Sequence, residues 1–139
     1  MSYTIKVSLS QTNPDDVFNV VEKTVFHYAN GGTWDGPGGL TLTMGGSGTS
    51  GGLRFKSATG DYAFVVIGIH NYSPWCDVAV DLAAGNTGVE VHPTYYAGGA
   101  RSGVALLTEV QKRDARGRTF GVRVVPEEGN VYTAHISIL

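Results

Sequence analysis

The run Met44-Gly45-Gly46-Ser47-Gly48-Thr49-Ser50-Gly51-Gly52 is the first to invite a chemical reading. Gly46, Gly48 and Gly51 have the spacing of a dinucleotide fingerprint. Gly48 to Gly52 has the spacing of a nucleophile elbow with Ser50 at its tip. Either chemistry needs a strand before the glycines and a helix after them, because the helix N-terminus supplies the phosphate site or presents the serine. Leu53-Arg54-Phe55 follows and reads as a strand, so neither chemistry is expected. His27, His70, His92 and His135 stand far apart, and Cys76 has no cysteine partner. No metal or other cofactor is therefore expected. The carboxylates are scattered through turns and exposed strand positions, where a solvated role is the expectation, and an acid–base pair could meet only in the fold. The chain is expected not to be an enzyme. Asn71-Tyr72-Ser73 forms a glycosylation sequon, expected to go unused without a secretion signal.

The elements that must position these residues are mostly strands. Tyr3, Ile5, Val7 and Leu9 alternate with Thr4, Lys6 and Ser8, and a turn follows at Asn13-Pro14-Asp15-Asp16. From Val17 to Tyr28 the alternation places Val17, Val21 and Val25 on one side and Phe18, Val20, Phe26 and Tyr28 on the other. Leu40, Leu42 and Met44 predict a short strand, and Leu53 and Phe55 another. Tyr62 to Ile69 is apolar on both faces, which predicts a central strand covered from both sides. Three segments then predict a meander: Val104, Leu106 and Val110; Phe120, Val122 and Val124; Tyr132, Ala134, Ile136 and Ile138. Turns at Asp114 to Gly117 and Glu127 to Asn130 separate them. Ser73-Pro74, with Trp75, Val78 and Leu82 at helical spacing, predicts a helix from about Pro74 to Ala84. Pro93-Thr94-Tyr95-Tyr96 could begin a second helical turn. The expected architecture is an all-β, two-sheet antiparallel sandwich with a short helical connection, in one domain spanning residues 1–139.

Composition narrows the function classes. Ten basic and 12 acidic residues, with no like-charge block, argue against nucleic acid as a partner. A single cysteine forbids an internal disulfide, and Cys76 is expected to be a small buried hydrophobe. No apolar run is long enough to span a bilayer, and no basic segment precedes an apolar stretch at the N-terminus. A cytosolic protein without a signal peptide or an integral membrane segment is expected. The 20 glycines cluster between apolar stretches, marking turns or places where backbone must approach something closely.

Three motifs together carry a family resemblance. They are Tyr28-Ala29-Asn30-Gly31-Gly32-Thr33-Trp34, then Leu42-Thr43-Met44-Gly45-Gly46-Ser47-Gly48-Thr49-Ser50-Gly51, then His70-Asn71-Tyr72 with Trp75-Cys76-Asp77. In this order they resemble the fungal fruit-body lectins, with thinner likeness at Tyr95-Tyr96, Arg101, Gly117-Arg118 and Glu128-Gly129-Asn130. The resemblance implies an actinoporin-like sandwich whose sheets are joined by a helix-loop-helix. It also implies binding of glycans on glycoproteins or glycolipids, a homotetramer and a defensive role. Its principal site takes the T-antigen disaccharide, galactose β-linked to N-acetylgalactosamine. Carried onto this chain, that site involves Ala29, Ser47, Gly48 and Asn71, with Asn30, Thr49, His70 and Tyr72 close by.

These residue types suit a sugar. The Asn71 amide and the Ser47 hydroxyl can each match pyranose hydroxyls that donate and accept. Backbone at Ala29 and Gly48 can approach closely, and Tyr28 or Tyr72 could meet an N-acetyl methyl. The resemblance also implies a second site, selective for terminal N-acetylglucosamine, around Asp77, Val78, Val80 and Arg101. Here the chain departs from the family: Val80 stands where threonine is usual, and Val110 near the usual tyrosine. Two lost hydrogen-bonding side chains would cost roughly 1 kcal/mol each, so a weakened, altered or absent second site is expected. The alternative function is a pore-forming cytolysin on the same fold. That activity calls for an amphipathic segment ahead of the sandwich, whereas the first strand is expected by about Tyr3.

Overall fold

The computed structural model describes residues 2–26, 31–96, 98–103 and 106–139. Ten strands form two sheets: β1 (Tyr3–Gln11), β2 (Phe18–Phe26), β3 (Gly32–Asp35), β4 (Thr41–Met44), β5 (Ser50–Ser57), β6 (Tyr62–His70), β7 (Ser73–Leu82), β8 (Glu109–Arg113), β9 (Thr119–Pro126) and β10 (Val131–Ile138). One sheet has the order β3-β4-β1-β10-β9-β8 and the other β2-β5-β6-β7. Pairing is antiparallel except between β1 and β10, which run parallel. The apolar faces close on a shared core containing Ile5, Phe18, Leu42, Phe55, Ile67, Phe120 and Ile136. The expected sandwich is therefore present. The turns at Asp114–Gly117 and Glu127–Asn130 also separate β8, β9 and β10 as the alternation predicts.

Strand β6 is buried on both faces, as its unbroken apolar run requires. Its second face, where Phe64 and Val66 join Trp75 and Ala79 of β7, is covered by Val91 and Tyr95. Those two belong to α1 (Gly88–Val91) and the 3₁₀ turn that continues it, His92–Tyr95. The Thr87 cap residue makes no side-chain capping bond. Glu22 of β2 does that work instead, accepting the Gly88 N–H at 2.6 Å and the Val89 N–H at 3.2 Å. A carboxylate from the sheet thus satisfies N-terminal amides of the helix and fixes the helical segment over β2 and β5.

Two local expectations are corrected. The predicted helix from Pro74 to Ala84 is strand β7. Cys76, Val78 and Val80 alternate into the inter-sheet core while Trp75 and Ala79 face the helical segment, so burial on both sides outweighs the helical spacing. Pro74 sits near the start of an edge strand, where its missing N–H costs nothing. In β2, a bulge between Val20 and Glu22 breaks the expected alternation. Val21 is exposed, while Val20 and Val25 both pack on the core, because one extra residue flips the faces beyond it.

Cys76 is fully buried, and burial first, then Asp77 and Glu109, pushes its thiol up to about 12. Three carboxylates expected in solvent instead surround one cation. Arg118 binds Asp16, Asp61 (2.7 Å) and Asp114 (2.7 Å) at the end of the sandwich near the β5–β6 turn.

Candidate functional site

At the opposite end of β5 and β6, two turns meet. Residues Asn71 and Tyr72 join β6 to β7 with φ of 47° and 66°. Positive φ at both central residues gives the two-residue hairpin turn whose twist matches its strands. Asparagine adopts that conformation readily; tyrosine is strained in it by about 1 kcal/mol. The turn is held from the β4–β5 loop, where the Ser47 hydroxyl accepts the Tyr72 N–H at 3.0 Å. That loop is in turn stitched to the end of β6. The Gly48 N–H donates to the Ile69 carbonyl at 2.8 Å, and the Ile69 N–H to the Thr49 carbonyl at 3.1 Å. Gly48, with φ of 99°, makes this path with a backbone that a side chain would strain.

The two turns border a cavity of about 580 Å³ lined by Ser47, Gly48, Ile69, His70, Asn71 and Tyr72, and closed by Trp75, Tyr96, Ser102 and Leu106. His70, Asn71 and Tyr72 are exposed, and the Asn71 amide has no hydrogen-bond partner among the described residues. Asn71 therefore presents one acceptor and two donors at a mouth whose walls are a tryptophan, two tyrosines and a leucine. A rigid polar tip beside apolar and aromatic surface suits a ligand that is both hydroxylated and partly apolar, as a pyranose is. Tyr72→Gly separates the two roles of that residue. Relief of the strained turn should raise stability by about 1 kcal/mol in urea, while loss of the ring should weaken glycan binding. Unchanged affinity would mean the ring touches no ligand.

The structure brings Ser47, Gly48, His70, Asn71 and Tyr72 together around one cavity, and places Thr49 beneath them, fully buried. Ala29 and Asn30, like Tyr28, lie outside the described residues. Gly31, which follows them, accepts the Gly45 N–H at 3.0 Å. Sequence reasoning missed Trp75, Tyr96, Ser102 and Leu106 as lining residues. The aromatic residues stand in the quoted motifs and were within reach; Ser102 carries no local signal, and Leu106, expected in a strand with Val104 and Val110, precedes β8, which begins at Glu109, while Val104 lies outside the described residues.

Tyr96 ties the cavity to the helical segment. It stacks on Phe26 with centroids 3.9 Å apart, and its hydroxyl meets Ser50 Oγ. Ser50 Oγ also lies 2.7 Å from His92 Nε2, and Thr24 Oγ1 lies 2.7 Å from His92 Nδ1. Burial holds His92 down at about 4.

The residues of the expected second site divide between two faces. Asp77 is buried on the helical side of β7, where it accepts the Tyr95 hydroxyl at 2.7 Å and pairs with Lys112 at 3.3 Å. Burial and the Asp77 charge push the Tyr95 phenol well up. Arg101 donates to Thr94 Oγ1 at 3.1 Å on that same side. Val78 is wholly buried and Val80 half-buried, both packed on the core.

The profile of the fungal fruit body lectin family matches residues 1–136. Boletus edulis lectin is 45% identical over 98% of both chains. Crystal structures of Xerocomus chrysenteron lectin superpose with a TM-score of 0.94 for the wild-type protein, at 43% identity over 100% of both chains. A methionine-substituted variant of that lectin gives 0.93, at 45% identity over 100% of this chain and 99% of that one. The chain is thus a carbohydrate-binding protein and not an enzyme, and it belongs to the fungal fruit body lectin family.

Proposed function

We propose that the cavity between the β4–β5 loop and the Asn71-Tyr72 turn is the principal glycan site. It takes galactose- and N-acetylgalactosamine-containing glycans such as the T-antigen disaccharide. The observation that carries this reading is the position of Asn71. Its amide is unpartnered among the described residues, sits at the cavity mouth and is held by a turn braced on Ser47. Galactose and N-acetylgalactosamine share an axial hydroxyl that such an amide can bridge to its equatorial neighbour, and Trp75 and Tyr72 offer the apolar surface an acetyl methyl needs.

The region of Asp77, Val78, Val80 and Arg101 is proposed to bind N-acetylglucosamine weakly or not at all. The Asp77 carboxylate is already engaged by Tyr95 and Lys112, and neither valine offers a hydrogen bond. Multivalent agglutination is proposed to arise from a homotetramer, in which several weak sites act together through effective concentration. Sedimentation of the purified protein reads that state.

A glycan array of the parent beside Asn71→Ala and Asn71→Gly tests the principal site. Glycine keeps the left-handed turn while deleting the amide, so turn strain is separated from lost contact. Both variants should lose T-antigen binding by tenfold or more, a change of about 1.4 kcal/mol. Glycans ending in N-acetylglucosamine should give little signal. A parent that binds no galactose-type glycan would overturn the proposed specificity, and full binding by Asn71→Gly would remove the amide from the site.

A further inference from the structure

The outward face of the six-stranded sheet carries a second concavity, of about 570 Å³, which the lectin reading leaves unused. Strand register dictates its contents. Ser8 pairs with His135, His135 with Arg123, and Arg123 with Glu109, so four polar residues form one row across β1, β10, β9 and β8. Two positions along, Ser10, Ser137, Gly121 and Gln111 form a second row in the same register. The rows run for about 14 Å across the strands and lie about 7 Å apart. Between Ser137 and Gln111 the missing side chain of Gly121 leaves an opening. A Cβ there would stand 2.9 Å from Ser137 Oγ.

Arg123, Glu109, Gln111 and His135 are exposed, and no side chain in either row makes a hydrogen bond or ion pair among the described residues. The array therefore offers one guanidinium fork, one carboxylate, one amide, one imidazole and three hydroxyls to whatever enters. Among the described residues no aromatic ring lines it, in contrast to the cavity at Asn71. A neutral sugar, which binds largely by laying its apolar face on a ring, would find no platform here. A guanidinium inside a polyol-binding array instead calls for a ligand with one carboxylate and many hydroxyls. The carboxylate takes the two parallel N–H bonds of the fork. Glu109, Gln111 and the serines take the hydroxyls.

We infer that this face is a distinct binding site for a carboxylate-bearing sugar, held by Arg123 and ringed by Ser8, Ser137, Gln111, His135 and Glu109. Sialic and uronic acids share that chemistry. The inference does not depend on the Asn71 cavity, which lies in the loops at the end of the other sheet.

The test is a titration of ¹⁵N-labelled full-length protein with N-acetylneuraminic acid, with glucuronic acid and with glucose. It is run on the parent and on Arg123→Gln, Gly121→Ala and Asn71→Gly. The expected result is saturable shifts on β8, β9 and β10 with at least one of the acids and none with glucose. Arg123→Gln and Gly121→Ala should weaken the acid tenfold or more, and Asn71→Gly should not change it. A response to one acid alone identifies which source the site prefers. Retained T-antigen binding by Arg123→Gln shows that the principal site is intact and the two readings separable. Three results would overturn the inference: shifts confined to residues 47–49 and 70–72, equal acid affinity in Arg123→Gln, or no acid binding by the parent. If the parent binds no acid and Arg123→Gln alters its sedimentation, the face is a contact between copies of the chain.

Discussion

Arg118→Ala should lower the stability of the fold by about 3–5 kcal/mol, the largest effect expected of any single turn substitution in this protein. The residue is 7% exposed and ties its own turn, through Asp16 and Asp61, to two others. Its Nε donates to Asp114 at 2.7 Å, its Nη2 to Asp61 at 2.7 Å, and its Nη1 to Asp16. The Asp114 carboxylate also accepts the Arg116 and Arg118 backbone N–H groups, at 3.1 and 2.8 Å. The guanidinium rests 4.7 Å from the Phe18 ring centroid, so the network is bolted to the core. Removing it leaves Asp16 and Asp114 without their counter-charge and Asp61 with only the exposed Arg116, and that penalty exceeds the net worth of the pairs themselves.

Arg118→Lys should recover only part of the loss, since an ammonium cannot serve three carboxylates with a planar fork. Arg116→Ala is the control. Arg116 is 60% exposed and meets Asp61 at 3.0 Å, so its loss should cost under about 1 kcal/mol. Urea unfolding of the three variants decides the matter, and an Arg118→Ala cost no larger than that of Arg116→Ala would refute it. Glycan affinity per folded molecule should be unchanged, because the network and the Asn71 turn stand at opposite ends of β5 and β6. Acid should weaken the same network. Burial alone would raise the Asp16 carboxyl, but Arg118 holds it below 3.8. That part of the stability is present above 3.8 and is lost as pH falls through the lower folded value.

What the sequence made legible follows a physical divide between local and non-local causes. Strands β9 and β10 were readable because burial on one face writes itself into period-two alternation, and β6 because burial on both faces writes itself into an unbroken apolar run. The sequence did not disclose β7. Ser73-Pro74 carries a genuine helix-start signal, but the same pair also suits the first residues after a two-residue hairpin turn. Only the presence of a core on one side and a helical segment on the other decides between them. The bulge at Val21 depends on how β2 meets β5, and nothing within β2 announces it. Arg118 gathers Asp16, Asp61 and Asp114 from turns far apart in the chain, so each carboxylate by itself looks solvated.

The candidate site divides the same way. Ser47, Gly48, His70, Asn71 and Tyr72 belong to two short motifs and come together around one cavity. Ser102 and Leu106 arrive from the long crossing between the helical segment and β8, where the alternation of Leu106 with Val110 does not mark a strand, because β8 begins only at Glu109. Tyr96 became a wall of the cavity through its stack on Phe26 and its bond to Ser50, both long-range contacts. The helical segment therefore does two things. It covers the second face of β6, and it delivers Tyr96 to the cavity wall.

That delivery depends on His92, and the protein should lose about 3 kcal/mol of stability as pH falls from about 6.5 to about 4. His92 is 1% exposed, wedged between β2 and β5, with Thr24 on one ring nitrogen and Ser50 on the other. Its neighbours are the Phe26, Phe64 and Tyr96 rings. Hydrogen bonding alone would not forbid an imidazolium there, since both hydroxyls can accept. Removal from water does, and it brings the folded value down to about 4 against 6.5 for the free side chain. Because the folded value is lowered, the unfolded chain takes up the proton first. Stability is full above 6.5, declines through the interval down to about 4, and is constant in this contribution below it.

His92→Gln keeps a donor and an acceptor but cannot titrate. It should be less stable than the parent at pH 7, and the gap should close as pH falls to 4. Parallel stability curves for the two proteins across that interval would assign the acid sensitivity elsewhere. The functional consequence is specific to Tyr96. Its hydroxyl shares Ser50 Oγ with His92, so protonating His92 should disturb the cavity wall before the sandwich unfolds. Glycan binding by the parent should then fall at a higher pH than its unfolding transition, whereas in His92→Gln the two should coincide.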